Sequence, residues 1–200
     1  NHRGRFLSRI AGMDLYLIRH TCPQIEAGLC YGQLDVPLAP THMSECAAVA
    51  ARLPAVAALW TSPLTRCRVL AQVIGERLGV APSVDERLSE MKFGEWEGRP
   101  WDAIDRSQSE RWAEDYWNVA PPGGETYREL YERVGAALTE IIKRNASCVA
   151  VVTHAGPIRA TMGHCLQIGP ERYPELRLDY GGISLLHTDA GVWRLEYLNG

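Results

Sequence analysis

The chain has 200 residues, 46% of them hydrophobic and 22% charged, with a formal net charge of −3. That is the make-up of one ordinary globular domain, able to bury roughly 70% of its unfolded surface. The absence of a basic stripe argues against a nucleic-acid partner, and the longest apolar runs fall well short of the ~20 residues of a membrane-spanning helix.

Residues Asn1–Gly12 are arginine-rich and free of acids. A transit peptide has that look. Met13, directly before the first strand, favours an upstream extension or a vector remnant, and the fold is expected in residues 13–200 as a single domain. Leu15–Ile18 is a short continuous apolar run, the pattern of an interior strand of a covered parallel sheet, and it delivers Arg19 and His20 at its carboxyl end. An irregular stretch follows from Thr21 to Pro40; loops of that length are usually functional. Thr41 is expected to cap a helix running to about Leu53, and Ala57–Thr61 reads as the next strand. Ser62 and Pro63 then read as N-cap and first position of a helix with Cys67, Leu70, Ala71, Ile74 and Leu78 on one face and Gly79 as its C′ residue.

A short strand is expected around Pro82–Val84. Residues 86–124 hold Trp96, Trp101, Trp112 and Trp117 and read as a partly helical insertion over one end of the sheet. Tyr127, Leu130, Val134, Leu138 and Ile141 mark a long amphipathic helix ending near Asn145. A second apolar strand, Val149–Thr153, releases His154, and a helix is expected from Pro157. The chain closes with a hairpin, 183–187 against 192–198, whose outer strand alternates Trp193, Leu195 and Tyr197 with Arg194 and Glu196 and so is expected to be covered on one face. The expected class is α/β.

Ligands collect beyond the carboxyl ends of strands in open α/β sheets. Two histidines and an arginine at such a rim suggest anion chemistry. Phosphoryl transfer needs a nucleophile, cationic clamps and a proton donor. His20 is the candidate nucleophile, with Arg19 and its planar fork as one clamp. Arg66, in the first turn of the helix after Ser62, is a second clamp, at a helix end suited to an anion. His154 offers a further donor, and Glu90 is the candidate acid, with burial near Trp96 expected to tune it. Nearby arginines should keep one His20 nitrogen unprotonated, and a loop carbonyl is expected to orient the ring through the other.

The remaining histidines, His2, His42, His164 and His187, read as packed or surface residues, and Glu95 and Glu97 as solvated or capping charges. The tryptophans lack the interleaved basic residues of a base-stacking platform and read as packing. A metal site at His20, Cys22 and His154 is disfavoured by the adjacent arginines, so neither metal nor cofactor is expected. The six cysteines (Cys22, Cys30, Cys46, Cys67, Cys148 and Cys165) include no C-x-x-C pair, which suggests a reducing, cytoplasmic setting.

Four separated blocks now carry a resemblance. Residues Leu17–His20, Thr61–Arg66, Leu88–Gly98 and Thr153–Arg159 resemble, in order, the motifs of the histidine phosphatase superfamily, the group that includes the cofactor-dependent phosphoglycerate mutases. Pro122–Thr126 resembles a fifth. The resemblance implies a phosphoglycerate mutase-like three-layer α/β/α sandwich with a mostly parallel central sheet. It also implies a phosphohistidine on His20, phosphate held by Arg19, Arg66 and His154, and proton transfer by Glu90. The substrate implied is a small phosphomonoester.

Thr21 stands where the family usually has glycine, and Gln24 or Gln33 is the expected replacement for a missing polar contact to phosphate. Gly28–Leu38 is similar to the corresponding loop of alpha-ribazole phosphatases, which act late in cobalamin biosynthesis. Tyr31, Gln33, Glu125 and the tryptophan-rich insertion are the candidate walls of the leaving-group pocket. Broad-specificity phosphatases, mutases and non-catalytic binding proteins share the architecture; the compact length argues against a mutase, and the full set of nucleophile, clamps and acid against a binding protein.

Overall fold

The structure, a computed structural model, describes residues 12–200, so the expectation for the first residues lies outside the described part, apart from Gly12. A six-stranded sheet runs in the order β3-β2-β4-β1-β5-β6. Its strands are β1 (Met13–Arg19), β2 (Ala58–Thr61), β3 (Pro82–Val84), β4 (Cys148–Thr153), β5 (Ile183–Asp189) and β6 (Val192–Tyr197). The first four of that spatial order are mutually parallel; β5 pairs antiparallel with β1, and β6 antiparallel with β5. The helices are α1 (His42–Ala51), α2 (Thr65–Leu78), α3 (Arg106–Glu114), α4 (Tyr127–Lys143) and α5 (Ala155–Leu166).

Alternation along the central strands builds three layers. Leu15 and Leu17 of β1, with Val149 and Val151 of β4, face α4 and α5 through Ala137, Ile141, Ile158 and Met162. Tyr16 and Ile18, with Ala150 and Val152, face α1 and α2 through Val49, Leu70, Ala71 and Ile74. Because β1 and β4 are buried on both faces, they need apolar residues at every position, which is why both read as unbroken runs. Gly79 ends α2 with φ 71°, the left-handed conformation of a helix stop. Thr126 and Glu129 form a reciprocal capping box at the start of α4.

Four expectations need correction. Thr41 holds the N-cap position of α1, but its side chain makes no cap bond and instead donates to Glu45 Oε1 at 2.6 Å. Helix α2 begins at Thr65, with Leu64 as its N-cap residue, rather than at Pro63. Ser62 Oγ accepts from Leu64 N at 3.4 Å, ahead of the helix, and lies 2.8 Å from His154 Nε2; the first helical N–H is met by Asp35, whose carboxylate accepts from Thr65 N at 3.1 Å and from Thr65 Oγ1 at 2.5 Å. Helix α5 begins at Ala155, two residues before Pro157; a proline in the first helical turn has no intrahelical N–H to lose. Strand β6 is more open than its alternation suggests. Trp193 is partly buried against the α4/α5 side, whereas Leu195 and Tyr197 are exposed, because β6 is the edge strand and pairs only with β5.

Candidate active site

Adjacent parallel pairing sets the site. Arg19 is in register with Thr153, so the residues that follow, His20 and His154, leave the same edge of the sheet side by side. The His20 backbone N–H donates to Thr153 O at 3.0 Å, and the two imidazole centroids are 5.0 Å apart at a 60° interplanar angle. Next in the sheet, β2 delivers Ser62, whose N–H donates to Val152 O at 3.0 Å. The first turn of α2 then brings Arg66 and Cys67 beneath the histidines.

His20 is 1% exposed. Its Nδ1 is 2.8 Å from Thr21 O; a carbonyl only accepts, so Nδ1 carries the proton and Nε2 keeps its lone pair. Burial is the main force holding this imidazole well below the usual histidine range, followed by the positive charge of Arg66; the Thr21 carbonyl opposes them and Arg19 adds to the lowering. The loop carbonyl expected to orient the ring is thus that of the next residue.

Arg66 and His154 are each 0% exposed. Arg66 Nε donates to His154 Nδ1 at 3.3 Å, Nη1 to Leu34 O at 3.0 Å and Nη2 to Gly32 O at 2.6 Å. Receiving from Arg66 makes His154 Nδ1 an acceptor, so in the neutral ring Nε2 donates to Ser62 Oγ. Cys67 Sγ lies 3.4 Å from the same Nε2. Burial, then the neighbouring His20, Arg66 and Arg19, hold His154 well below the ordinary histidine range. In this arrangement both its ring nitrogens are engaged by protein, and it braces Arg66. The helix end read from sequence as an anion site is already filled by Asp35, so Arg66 offers its guanidinium rather than a free helix N-terminus.

Arg19 Nη1 donates to Leu178 O at 2.5 Å, and its guanidinium carbon sits 3.7 Å from the Tyr180 ring centroid. Its Nε is buried and has no hydrogen-bond partner among the described residues. Tyr180 was not legible as a site residue. Its ring centroid is 5.5 Å from that of His20, and its hydroxyl is 2.8 Å from the Tyr31 hydroxyl.

Glu90 sits against the first turn of α5. Its Oε1 accepts from Met91 N at 2.9 Å and from Gly156 N at 3.1 Å. The surroundings differ from the expectation: Trp96 packs with Cys30, Ile104, Phe93 and Trp112 and does not line the cavity on which Glu90 opens. That cavity, about 500 Å³, is walled by Met91, Phe93, Trp112, Tyr116, Tyr127 and Arg159.

Of the other candidates, Tyr31 lies in the site, its ring 5.2 Å from the Arg66 guanidinium. Gln33 is one layer back: its Nε2 donates to Glu90 O and its backbone N–H to Glu97 Oε1. Glu97 also accepts from Phe93 N, the capping role expected of it. Gln24 is exposed, and its backbone N–H pairs with Pro37 O; among the described residues no hydrogen bond ties its side chain to the site. Glu125 is committed to Arg133, which it meets at 2.7 Å and 3.0 Å, and to Lys92 N. Arg133 in turn donates to the carbonyls of Arg87, Ser89 and Glu90. The pair therefore splints the segment bearing Glu90, a role that sequence did not suggest for either residue.

Comparison with known proteins bears on the family and the fold. The sequence model of the histidine phosphatase superfamily (branch 1) matches residues 15–200. A Hydrogenobacter thermophilus protein provisionally named phosphoserine phosphatase 2 is 29% identical over 191 residues, spanning 92% of this chain and 94% of its own. The native structure of a mycobacterial glucosyl-3-phosphoglycerate phosphatase aligns with a TM-score of 0.83 at 26% identity, over 94% of this chain and 99% of its own. The alpha-ribazole phosphatase of Shigella flexneri aligns with a TM-score of 0.86 over 94% and 96%; at 22% identity that likeness speaks for the fold alone. Among the described residues no helix is long and apolar enough to cross a membrane.

Proposed function

The chain belongs to the histidine phosphatase superfamily, and on that premise we propose that this phosphatase hydrolyses small phosphomonoesters through a phosphohistidine formed on His20. The observation that carries the reading is the Nδ1 contact to Thr21 O at 2.8 Å, which leaves an unprotonated Nε2 in a pocket bounded by Arg19, Arg66 and His154.

In the first step the Nε2 lone pair forms a bond to phosphorus as the bond to the leaving oxygen breaks, and Glu90 supplies that oxygen with a proton. Arg19 and Arg66 balance the charge on the phosphoryl oxygens. In the second step Glu90 takes a proton from water as its oxygen bonds to phosphorus. The N–P bond breaks, its electrons return to Nε2, and phosphate departs.

Rapid acid-avoiding quench during turnover of p-nitrophenyl phosphate, followed by peptide mass spectrometry, tests this. A phosphoryl group on His20 is expected, together with loss of turnover in His20→Ala. Turnover without any such adduct, or an active His20→Ala protein, would falsify the reading.

For the leaving group, the Gly28–Leu38 loop favours alpha-ribazole 5′-phosphate, which places the reaction late in cobalamin biosynthesis. The aromatic cavity beside Glu90 also suits an alcohol that carries a flat ring. The six unpaired cysteines suit a reducing, cytoplasmic setting. The names of the relatives favour a second reading, a phosphatase for phosphoserine or sugar-acid phosphates. Specificity constants for alpha-ribazole 5′-phosphate, phosphoserine, glucosyl-3-phosphoglycerate and simple sugar phosphates decide between the two. Isomer exchange of phosphoglycerates would identify a mutase instead.

A further inference from the structure

The two arginines of the cradle are held in the same way by two distant segments. Arg19 lies against the face of Tyr180 at 3.7 Å and donates to Leu178 O, two residues earlier in that segment. Arg66 lies 5.2 Å from the Tyr31 ring and donates to Gly32 O and Leu34 O, one and three residues later. Each guanidinium is therefore fixed by an aromatic face and by carbonyls of the same loop. The loops meet through one bond, Tyr31 Oη to Tyr180 Oη at 2.8 Å, beside the ring of a nucleophile that is 1% exposed. The Tyr180 loop is also tied to the end of β1, since Gly181 N donates to the carbonyls of Arg19 and His20. Fixing Arg19 in this way leaves its buried Nε–H without an acceptor among the described residues, and an unmet buried donor is a demand that a phosphoryl oxygen satisfies.

We propose that Tyr31 and Tyr180 are positioning residues that couple the two arginine clamps, so that Arg19 and Arg66 grip phosphate as one unit. The inference rests on the reading of those arginines as phosphate clamps. Neither tyrosine is given a chemical step. The rings set the two guanidinium planes, and the hydroxyl pair fixes the distance between them. Burial, then the bond to Tyr180, pushes the Tyr31 phenol's pKa above its ordinary range, which keeps it available as a neutral hydrogen-bonding partner.

The test is a double-mutant cycle read on inhibition by inorganic phosphate, with p-nitrophenyl phosphate as reporter and thermal unfolding in parallel. Tyr31→Phe and Tyr180→Phe each keep the ring and remove the hydroxyl. Each is expected to weaken phosphate inhibition about 3- to 10-fold, the size of one net hydrogen bond. The double variant is expected to be no weaker than either single, because all three lack the same bond. Tyr180→Leu, which also removes the face over Arg19, should weaken inhibition further and raise KM more than it lowers kcat.

Phosphate inhibition within about twofold of wild type in both Phe variants would overturn the coupling, as would effects that multiply in the double variant. A merely structural role would move the melting temperature and leave the cycle additive. Adduct trapping on the wild-type protein separates the two levels. No adduct on His20 removes the parent reading, whereas an adduct with an additive cycle removes this inference alone.

Discussion

Glu90 Oε1 receives the backbone N–H of Gly156 at 3.1 Å, so the candidate proton donor rests on the first turn of the same helix that follows His154. A Cβ at position 156 would stand 2.2 Å from that oxygen and 3.2 Å from Leu130 Cδ1. The obstructing atom is the tip of a flexible side chain, so Gly156→Ala should fold and evict the carboxylate. The expected result is a kcat/KM, which reports the phosphorylation step alone, lowered on the order of 10²-fold for alkyl phosphates, the scale of a lost general acid. The loss should be much smaller for p-nitrophenyl phosphate, whose phenolate departs without a proton. Glu90→Gln should show the same dependence on the leaving group. An equal loss of kcat/KM for both substrates in Gly156→Ala would show that the carboxylate is not the donor.

Asp35 carries a different burden. Its carboxylate caps α2 through Thr65, and Arg66 is the next residue of that turn. Replacing an N-cap acid by alanine costs about 0.5–2 kcal/mol. Asp35→Ala is therefore expected to lower the unfolding free energy by about that amount, read as a lower urea midpoint, and to weaken phosphate inhibition, because the 34–35 segment also presents Leu34 O to Arg66. Asp35→Asn keeps an acceptor for Thr65 N and should retain most of both properties. An Asp35→Ala protein with wild-type midpoint and phosphate inhibition would count against this link.

The parts of the site that were legible in sequence are those whose position follows from the strand that carries them. His20 and His154 end apolar runs that had to be interior, and Arg66 lies one helical turn beyond another strand. Groups recruited across the fold were not legible. Ser62 has the chemistry of a helix cap, but the fold sets it against His154, 92 positions away. Tyr180 sits in an irregular stretch between Leu176 and Ile183 with no periodicity to read. Only the following pair, Gly181 and Gly182, hints at close backbone approach. Arg133 looks like one more polar residue of α4; that it reaches three carbonyls of the Glu90 segment depends on how α4 lies against residues 87–90. The tryptophan-rich insertion is legible as packing and as a candidate pocket wall, and Trp112 does both, packing on Trp96 and Phe93 and lining the cavity beside Glu90; which of its tryptophans faces the cavity depends on the fold.

That wall gives a further expectation. Trp112 lines the cavity beside Glu90 and Phe93, and its ring lies 26° from parallel to Trp101 at 5.8 Å, a braced, flat surface. Trp112→Ala should lower kcat/KM about 10-fold or more for phosphomonoesters whose alcohol bears an aromatic ring, from lost apolar burial and ring contact. Glycerol phosphate, which has no ring, should be nearly unaffected. A uniform loss over both classes would mean that the tryptophan supports the insertion rather than the leaving group.

The two buried histidines make stability fall on the acid side. Burial and neighbouring positive charge hold both His20 and His154 well below the ordinary value of 6.5 in the folded chain, whereas an unfolded chain returns them to it. Below that value the unfolded state binds more protons than the native one, so folding weakens as pH falls; above about pH 7 neither state is protonated and the contribution is complete. From pH 7 to pH 5 the expected loss is about 2 kcal/mol for each histidine that stays neutral when folded, roughly 4 kcal/mol for the pair. Urea unfolding at pH 5, 6 and 7 reads this directly. His154→Asn removes one of the two groups and should flatten the dependence by about half, whatever it does to stability at pH 7. A wild-type midpoint that does not move between pH 7 and pH 5 would mean that neither imidazole stays neutral in the native site. His20 would then be a poor nucleophile at the very pH where the phosphatase chemistry requires a free Nε2.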